Sequence, residues 1–343
     1  MSLPHLEALR RRLSAQPAAL PTLGWTPAES AAIEQAVAYL HSPEALAQLA
    51  ADPYWPKWDG AWWHMELLWE LGLAAQVPQT AVHALVASIH CHLLPSFPFR
   101  PEDIPASYDH LRGTPCHCQL GTVYQVLSAC GFAVDVELPW IRSWFLRYQL
   151  PDGGVNCDEA VYLRPHPHSS VVSTLPALEA LLCAGPLPLA PAEEAFLARG
   201  AAYLSKRQLF RSLSRGGVPI DTQWLTPTFP RFYEYDVLRG LAFLVRWALP
   251  RPEVTLAAGD IAEAVCALPP SGEPLTNRAA WRGVGTRRQT AQGEWIKQPA
   301  AATFALLTVV GSERGASSVL ARVLEATLGG LGELDAQGRL RWE

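Results

Sequence analysis

Five side chains that suit a borderline metal ion fall within a short part of the chain. They are Cys116, Cys118, Cys157, His166 and His168. Thiolates and imidazoles bind zinc well, and a catalytic zinc takes three protein ligands and leaves one position open. We therefore predict a zinc site formed by Cys118, Cys157 and His168. The alternative is structural, because free cysteines often pack as small hydrophobic residues and His168 precedes two serines typical of a helix start.

Acidic residues in the same region indicate a second kind of chemistry. A carboxylic acid in an apolar cavity has a raised pKa and can donate a proton, as isoprenoid cyclisation requires. We predict Asp158, Asp236 and Tyr235 as catalytic residues. Two such acids facing each other would instead suit glycoside cleavage. The alternative is that Asp236 lies in the first turn of a helix or pairs with Arg239.

Aromatic residues are the third feature. The chain has 13 tryptophans, four of which fall between positions 55 and 63. Ring faces stabilise cations and also suit flat ligands such as sugars. We predict that Trp58, Trp63 and Tyr233 bind substrate. Trp62 and Trp295 are predicted to be structural, because both occur in a repeated phrase.

The elements that must position these residues are repeated helical units. The phrase Gln-x-x-x-Gly-x-Trp is complete at 289–295, and partial copies occur at 56–62, 149–155 and 334–340. Each copy lies near the junction of two helix-period stretches, which indicates a repeated helix–turn–helix unit. In such a unit the Trp is expected to be a buried clamp between helix ends.

Two alternating sets of helices follow from the apolar periodicity. A polar-faced set suits an outer layer, and a set rich in small and apolar residues suits an inner layer that is packed on both sides. If the inner helices all point the same way, the loops that lead into them meet at one mouth. The outer set is predicted at 28–41, 79–93, 137–148, 191–208, 258–268 and 317–328, and the inner set at 61–72, 119–131, 169–184, 235–248 and 300–311.

Composition limits the function. The net charge is −5, which gives no basic field for nucleic acid. We expect no transmembrane segment, since no apolar run reaches the ~18–20 residues needed to cross a bilayer. No secretory signal is visible, and seven irregularly spaced cysteines suit a reducing compartment. We therefore expect a cytoplasmic protein.

The repeated phrase resembles the structural repeat of squalene and oxidosqualene cyclases, and the helix pairing resembles that of the protein prenyltransferase β subunit. The stretches 149–157, 168–179, 209–212 and 229–240 resemble a group of uncharacterised bacterial prenyltransferase and squalene-oxidase repeat proteins. The resemblance covers roughly residues 50–343. It implies an α/α toroid with a central cavity.

The chain departs from the enzymes of this superfamily at two motifs. It has no Asp-x-Asp-Asp, the acid motif of squalene cyclases. Protein prenyltransferases hold zinc with Asp-x-Cys and a distant His, whereas here Cys157 is followed directly by Asp158.

We therefore expect an all-α fold in one domain, residues 1–343, with 1–50 forming the first helices of a toroid of about five or six helical hairpins. The leading functional prediction is an enzyme acting on an isoprenoid-like apolar substrate, by zinc-assisted prenyl transfer or acid-initiated cyclisation. One alternative is a non-catalytic toroid whose central cavity binds a lipid, a peptide or a protein. A second alternative is a carbohydrate-active enzyme on an α/α toroid.

Overall fold

The computed structural model describes residues 3–14, 20–185, 189–273, 275–312 and 317–342. Helices dominate this part of the chain, which confirms the all-α prediction. In chain order the α-helices are α1 (Leu3–Ser14), α2 (Pro27–Leu40), α3 (Pro43–Ala51), α4 (Ala61–Glu70), α5 (Gln79–His92), α6 (His110–Gly113), α7 (His117–Ala129), α8 (Val134–Glu137), α9 (Trp140–Arg147), α10 (Val171–Cys183), α11 (Pro191–Lys206), α12 (Val237–Ala248), α13 (Ala258–Ala267), α14 (Ala305–Val310) and α15 (Ser317–Ala336).

Short 3₁₀ helices and strands complete the described elements. The 3₁₀ helices are Ala74–Gln76, Pro101–Asp103, Glu159–Leu163 and Thr222–Leu225. Strands β1 (Leu256–Ala257) and β4 (Leu340–Arg341) pair in parallel, and β2 (Thr286–Gln289) and β3 (Trp295–Gln298) form an antiparallel hairpin.

Helix starts agree closely with the sequence signals. Thr26 and Glu29 form a reciprocal capping box, with Glu29 N donating to Thr26 Oγ1 at 3.2 Å and Thr26 N donating to Glu29 Oε2 at 2.7 Å. Such a box satisfies two backbone donors that a helix start otherwise leaves open. Most predicted helices lie within three residues of the observed bounds. The exceptions are α14, which is shorter, and α15, which continues to Ala336.

The helices form two layers. In the inner layer α4 packs against α7, α7 against α10, and α10 against α12. Outer helices contact them from one side, α9 on α7, α11 on α10 and α13 on α12. Between Val171 and Leu181, every residue of α10 except Val172 is buried, as expected for a helix packed on both sides.

The two ends of the described chain meet. Helix α1 packs against α13 and α15, and α14 packs against α2, which in turn packs against α4. Leu9 of α1 is fully buried in this contact. The first helices therefore share a core with the last ones, and one hydrophobic cluster runs through the described residues.

The complete copy of the repeated phrase is a β-hairpin, so our helix–turn–helix prediction is wrong there. Gln289 pairs with Trp295 across β2 and β3, and Trp295 is half-buried, with the Arg112 guanidinium carbon 3.9 Å from its ring centre. It is no buried clamp. What two copies share is a hydrogen bond that closes a turn, from Gln289 Nε2 to the Gly293 carbonyl at 2.9 Å and from Gln149 Nε2 to the Gly153 carbonyl at 2.8 Å.

In the described part of the chain, no helix is both long and apolar enough to cross a membrane.

Candidate metal centre

Loops that lead into inner helices form two groups of side chains, a cluster of three cysteines and a pair formed by Lys57 and Tyr233. Cys116 is the N-cap of α7, and Cys118 lies in the first turn of that helix. Cys157 lies in the loop before α10, where its backbone N–H donates to Ser173 Oγ at 3.1 Å. The loop before α4 contributes Lys57, whose ammonium contacts Tyr233 of the loop before α12.

The sulfur atoms of the three cysteines form a compact cluster. Cys116 Sγ and Cys118 Sγ are 3.0 Å apart, Cys118 Sγ and Cys157 Sγ are 3.6 Å apart, and all three lie within 4.8 Å of one another. Sulfur ligands of a tetrahedral zinc are separated by about 3.8 Å, given Zn–S bonds of about 2.3 Å. The cluster thus fits a zinc ion after small side-chain shifts. All three residues are partly buried.

The surroundings of the cluster favour thiolate at Cys157 and the protonated thiol at Cys116 and Cys118. The N-terminus of α7 places the positive end of a helix dipole at Cys116 and Cys118. Burial opposes ionisation of Cys157, but hydrogen bonds with Cys116 and Cys118 hold the pKa of its thiol well below the usual range. The same hydrogen bonds, with Cys116 and Cys157, raise the pKa of Cys118. These directions favour a single thiolate, at Cys157, which the other two thiols stabilise by hydrogen bonds.

His117 supports the cluster but does not complete it. Its Nδ1 accepts from Trp144 Nε1 at 2.9 Å, and its Nε2 lies 3.0 Å from Tyr162 Oη. With both ring nitrogens engaged and the side chain fully buried, His117 has no nitrogen left for a metal. Burial lowers the pKa of His117 to about 4, so the ring is neutral at physiological pH.

The predicted ligand set is changed at one position. Cys118 and Cys157 belong to the cluster as predicted, but its third member is Cys116 rather than His168. His168 and His166 are both exposed. The His168 carbonyl accepts a hydrogen bond from Asn156 Nδ2 at 2.8 Å, which fixes the backbone of this loop. The exposed His168 does not belong to the cluster.

The predicted catalytic acids have structural partners. Asp158 is exposed, caps the 3₁₀ helix Glu159–Leu163 and forms a 3.6 Å ion pair with Arg164. Asp236 is buried as the N-cap of α12, and its two oxygens accept from the backbone N–H groups of Thr228 and Arg239, each at 2.9 Å. Burial raises the pKa of Asp236. The structural alternative that we considered for Asp236 is thus the one that the geometry supports.

Tyr235 is also fixed within the core. It is 1% exposed, and its hydroxyl donates to the Leu209 carbonyl at 2.8 Å. Gly240 leaves the space that this ring occupies, since a Cβ there would collide with the Tyr235 hydroxyl. Tyr235 therefore packs α12 against the preceding loop and does not line an open site.

The three predicted aromatic contacts fall into two classes. Trp58 and Trp63 are each 1% exposed and cross edge to face with ring centres 4.5 Å apart. Their indole N–H groups donate to the carbonyls of Trp281 at 2.8 Å and Tyr54 at 3.0 Å. These two rings belong to the hydrophobic core. Tyr233 is only half-buried and lies at the edge of the cluster of loops.

Lys57 and Tyr54 lie together in an aromatic recess, 5.6 Å from ammonium to ring centre, and we did not predict either of them. Lys57 is one of three lysines in the chain, and it lies in the Trp-rich segment 55–63. A single cation between aromatic residues is the signal that would have identified it.

Comparisons of the chain with protein-family models, with curated proteins and with solved structures returned no match.

Proposed function

We propose that this protein binds one zinc ion through Cys116, Cys118 and Cys157 and uses the open fourth position to activate a thiol. The observation that carries the proposal is the cluster of three sulfur atoms within 4.8 Å of one another, drawn from α7 and from the loop before α10. Three protein ligands and an accessible fourth position are the arrangement of a catalytic zinc rather than a closed structural one.

The ligand set decides the chemistry. Three thiolates outweigh the two positive charges of the ion, so the centre carries one excess negative charge and is a weak Lewis acid. Water bound there would gain little acidity, whereas a bound sulfur would remain nucleophilic. We therefore expect transfer of a group to sulfur. The thiol loses its proton to solvent, its sulfur forms the new bond to carbon, and the leaving group departs with its electron pair.

An aromatic recess formed by the loops before α4 and α12 suits an apolar donor. Tyr54, Trp55 and Tyr233 are each half-buried around Lys57, and their ring faces would contact a hydrocarbon group. We propose an isoprenoid-like donor for this reason. We also propose that the two helical layers close into an α/α toroid, which is supported by the contacts of α1 with α15 and of α14 with α2.

A non-catalytic role is the second candidate, and one observation favours it. Trp58 and Trp63 are fully buried and stack with their neighbours where an apolar chamber was predicted. If these side chains fill the interior, the zinc centre would either stabilise the fold or bind the thiol of a partner protein. The carbohydrate alternative has no comparable support, because Asp158 is exposed and Asp236 is a buried cap.

Metal content of the protein purified without chelator and under reducing conditions tests the proposal. We expect about one zinc per chain. Cys157→Ser should lose the metal because it leaves two sulfur ligands. Cys91→Ser is the matched control, since Cys91 is exposed on α5 and does not belong to the cluster. Wild-type protein without zinc, or equal zinc in both variants, would rule the proposal out.

A further inference from the structure

A small cavity lies where α2, the start of α4 and the start of α14 meet. Its volume is about 280 Å³, and its lining also includes residues of α3, of the loop before α4 and of β2. None of the lining residues belongs to the cluster of three cysteines, so this inference does not rest on the proposed zinc site.

His64 lines this cavity with a ring nitrogen that has no partner. The residue is 5% exposed, and its ring stacks on that of Phe304 with ring centres 3.6 Å apart and lies 4.5 Å from the centre of the Tyr39 ring. Its Nδ1 has no hydrogen-bond partner among the described residues. Burial lowers the pKa of His64 to about 3, so the ring is neutral and offers one nitrogen as an acceptor. A buried polar atom without a partner is costly, and a ligand that supplies the partner recovers that cost.

Asp59 contributes a second open acceptor to the same cavity. Its Oδ2 accepts a hydrogen bond from Arg288 Nη2, whereas its buried Oδ1 has no partner in the described part of the chain. The carboxylate of Glu44, an exposed residue, also lines the cavity. Two carboxylates and one guanidinium leave the lining with one excess negative charge, because His64 is neutral. The cavity therefore attracts a cation that donates hydrogen bonds.

We propose that this cavity binds a small primary amine as its ammonium ion. An ammonium group has three N–H donors and no acceptor, which matches the acceptors of Asp59, His64 and Glu44. Tyr39 and Phe304 line the same cavity and offer apolar surface to the hydrocarbon part of the ligand. A volume of about 280 Å³ is at the lower end for ligand sites, so a short amine suits it.

Three probes with the same carbon chain test the proposal at about pH 7, where an alkylamine is protonated. They are n-butylammonium, butan-1-ol, which has no charge, and butyltrimethylammonium, which keeps the charge but has no N–H donor. Ligand-observed NMR gives the dissociation constants. Butylammonium should bind at least about tenfold more tightly than either of the other probes. On its binding, the His64 ring resonance, identified by its absence from His64→Phe, should shift.

Two variants locate the binding. His64→Phe keeps the stacked ring and removes its nitrogens, so it should weaken butylammonium binding at least about tenfold. Its unfolding temperature should equal or exceed that of the wild type, because a buried polar atom without a partner is removed. Asp59→Asn keeps the shape and removes the charge, and it should weaken binding similarly if His64→Phe does not fold. Glu34→Gln, on the exposed side of α2 and outside the cavity, is the control and should bind like the wild type.

Three results would each overturn the proposal. They are a wild type that does not bind butylammonium, equal affinity for either of the other two probes, and full affinity in both His64→Phe and Asp59→Asn. Zinc content does not enter this measurement, so its outcome is independent of the proposed function.

Discussion

At the scale of single residues, the least expected group is Glu66. This glutamate on α4 is 1% exposed, and its Oε1 has no hydrogen-bond partner among the described residues. Burial, with a contribution from neighbouring Glu70, raises the pKa of Glu66 well above its usual range. Arg231 and Arg239 lie nearby but are bound to Glu70 and Glu179. The interior therefore holds a carboxyl group whose surroundings favour the protonated form, at a position that we did not predict.

Glu66 gives a pH dependence of known sign. Above about pH 4.3 the unfolded chain releases this proton and the folded chain keeps it, so the free energy of unfolding falls by about 1.4 kcal/mol per pH unit until Glu66 ionises in the fold. Glu66→Gln should abolish this part of the slope in urea unfolding measured between about pH 5 and pH 8. Glu44→Gln, on the exposed face of α3, is the control and should keep the wild-type slope. A slope that is the same in all three proteins would contradict the assignment.

At the scale of elements, the cluster of three cysteines depends on how closely α7 and α10 approach. Gly121 of α7 lies against the carbonyl of Pro176 in α10, and a Cβ on Gly121 would collide with that backbone. Gln125 Nε2 donates to the carbonyls of both residues, at 3.1 Å to Gly121 and 3.4 Å to Pro176. Cys118 lies one turn before Gly121, and Cys157 lies in the loop before α10. Separation of the two helices would therefore also separate the sulfurs.

Gly121→Ala should accordingly lower both the stability of the fold and the affinity for zinc. We expect a loss of about 1–3 kcal/mol in the free energy of unfolding, as is typical of an overpacked core, and weaker zinc binding in a chelator competition. Gly329→Ala is the matched control, because Gly329 lies within α15 with open space around it. There the substitution should be neutral or stabilise the helix by up to about 1 kcal/mol. Unchanged zinc affinity in a destabilised Gly121→Ala would show that the centre tolerates movement of the helices.

At the scale of the whole molecule, the stability of the fold depends on contacts between the chain ends. Helix α1 packs against α13 and α15, and Leu9 of this helix is 0% exposed. The Arg12 guanidinium reinforces this contact by donating to the carbonyls of Val265 and Pro269. The first helix thus covers the core of the last hairpins instead of forming an independent unit.

Leu9→Ala should lower the free energy of unfolding by about 2–5 kcal/mol, the range for a leucine removed from a packed core. Thermal and urea unfolding of the intact protein would measure it. Leu3→Ala is the control, because Leu3 lies on the same helix and is 76% exposed, and it should change the stability by less than about 0.5 kcal/mol. Equal effects of the two substitutions would show that α1 does not dock as described.

The sequence by itself determined the class of fold and most helix positions. Apolar periodicity and start signals such as Thr26 with Glu29 are local properties, and they place helices wherever the long-range packing agrees with them. The sequence also indicated that Cys118 and Cys157 lie together, because loops that precede neighbouring parallel helices meet at one end. It failed at 289–295, where a strand pairing rather than the repeated phrase sets the backbone.

Only the tertiary structure decided which side chains meet. Cys116 replaces His168 in the cluster because the direction of a loop side chain depends on contacts such as that of Asn156 with the His168 carbonyl. Asp236 is the N-cap of α12 because its carboxylate accepts hydrogen bonds from buried backbone N–H groups of two segments, which would otherwise lack an acceptor. Lys57 meets Tyr233, which is distant from it in sequence, through a hydrogen bond between two loops. Such contacts depend on the positions of several elements at once, and no local pattern in the chain encodes them.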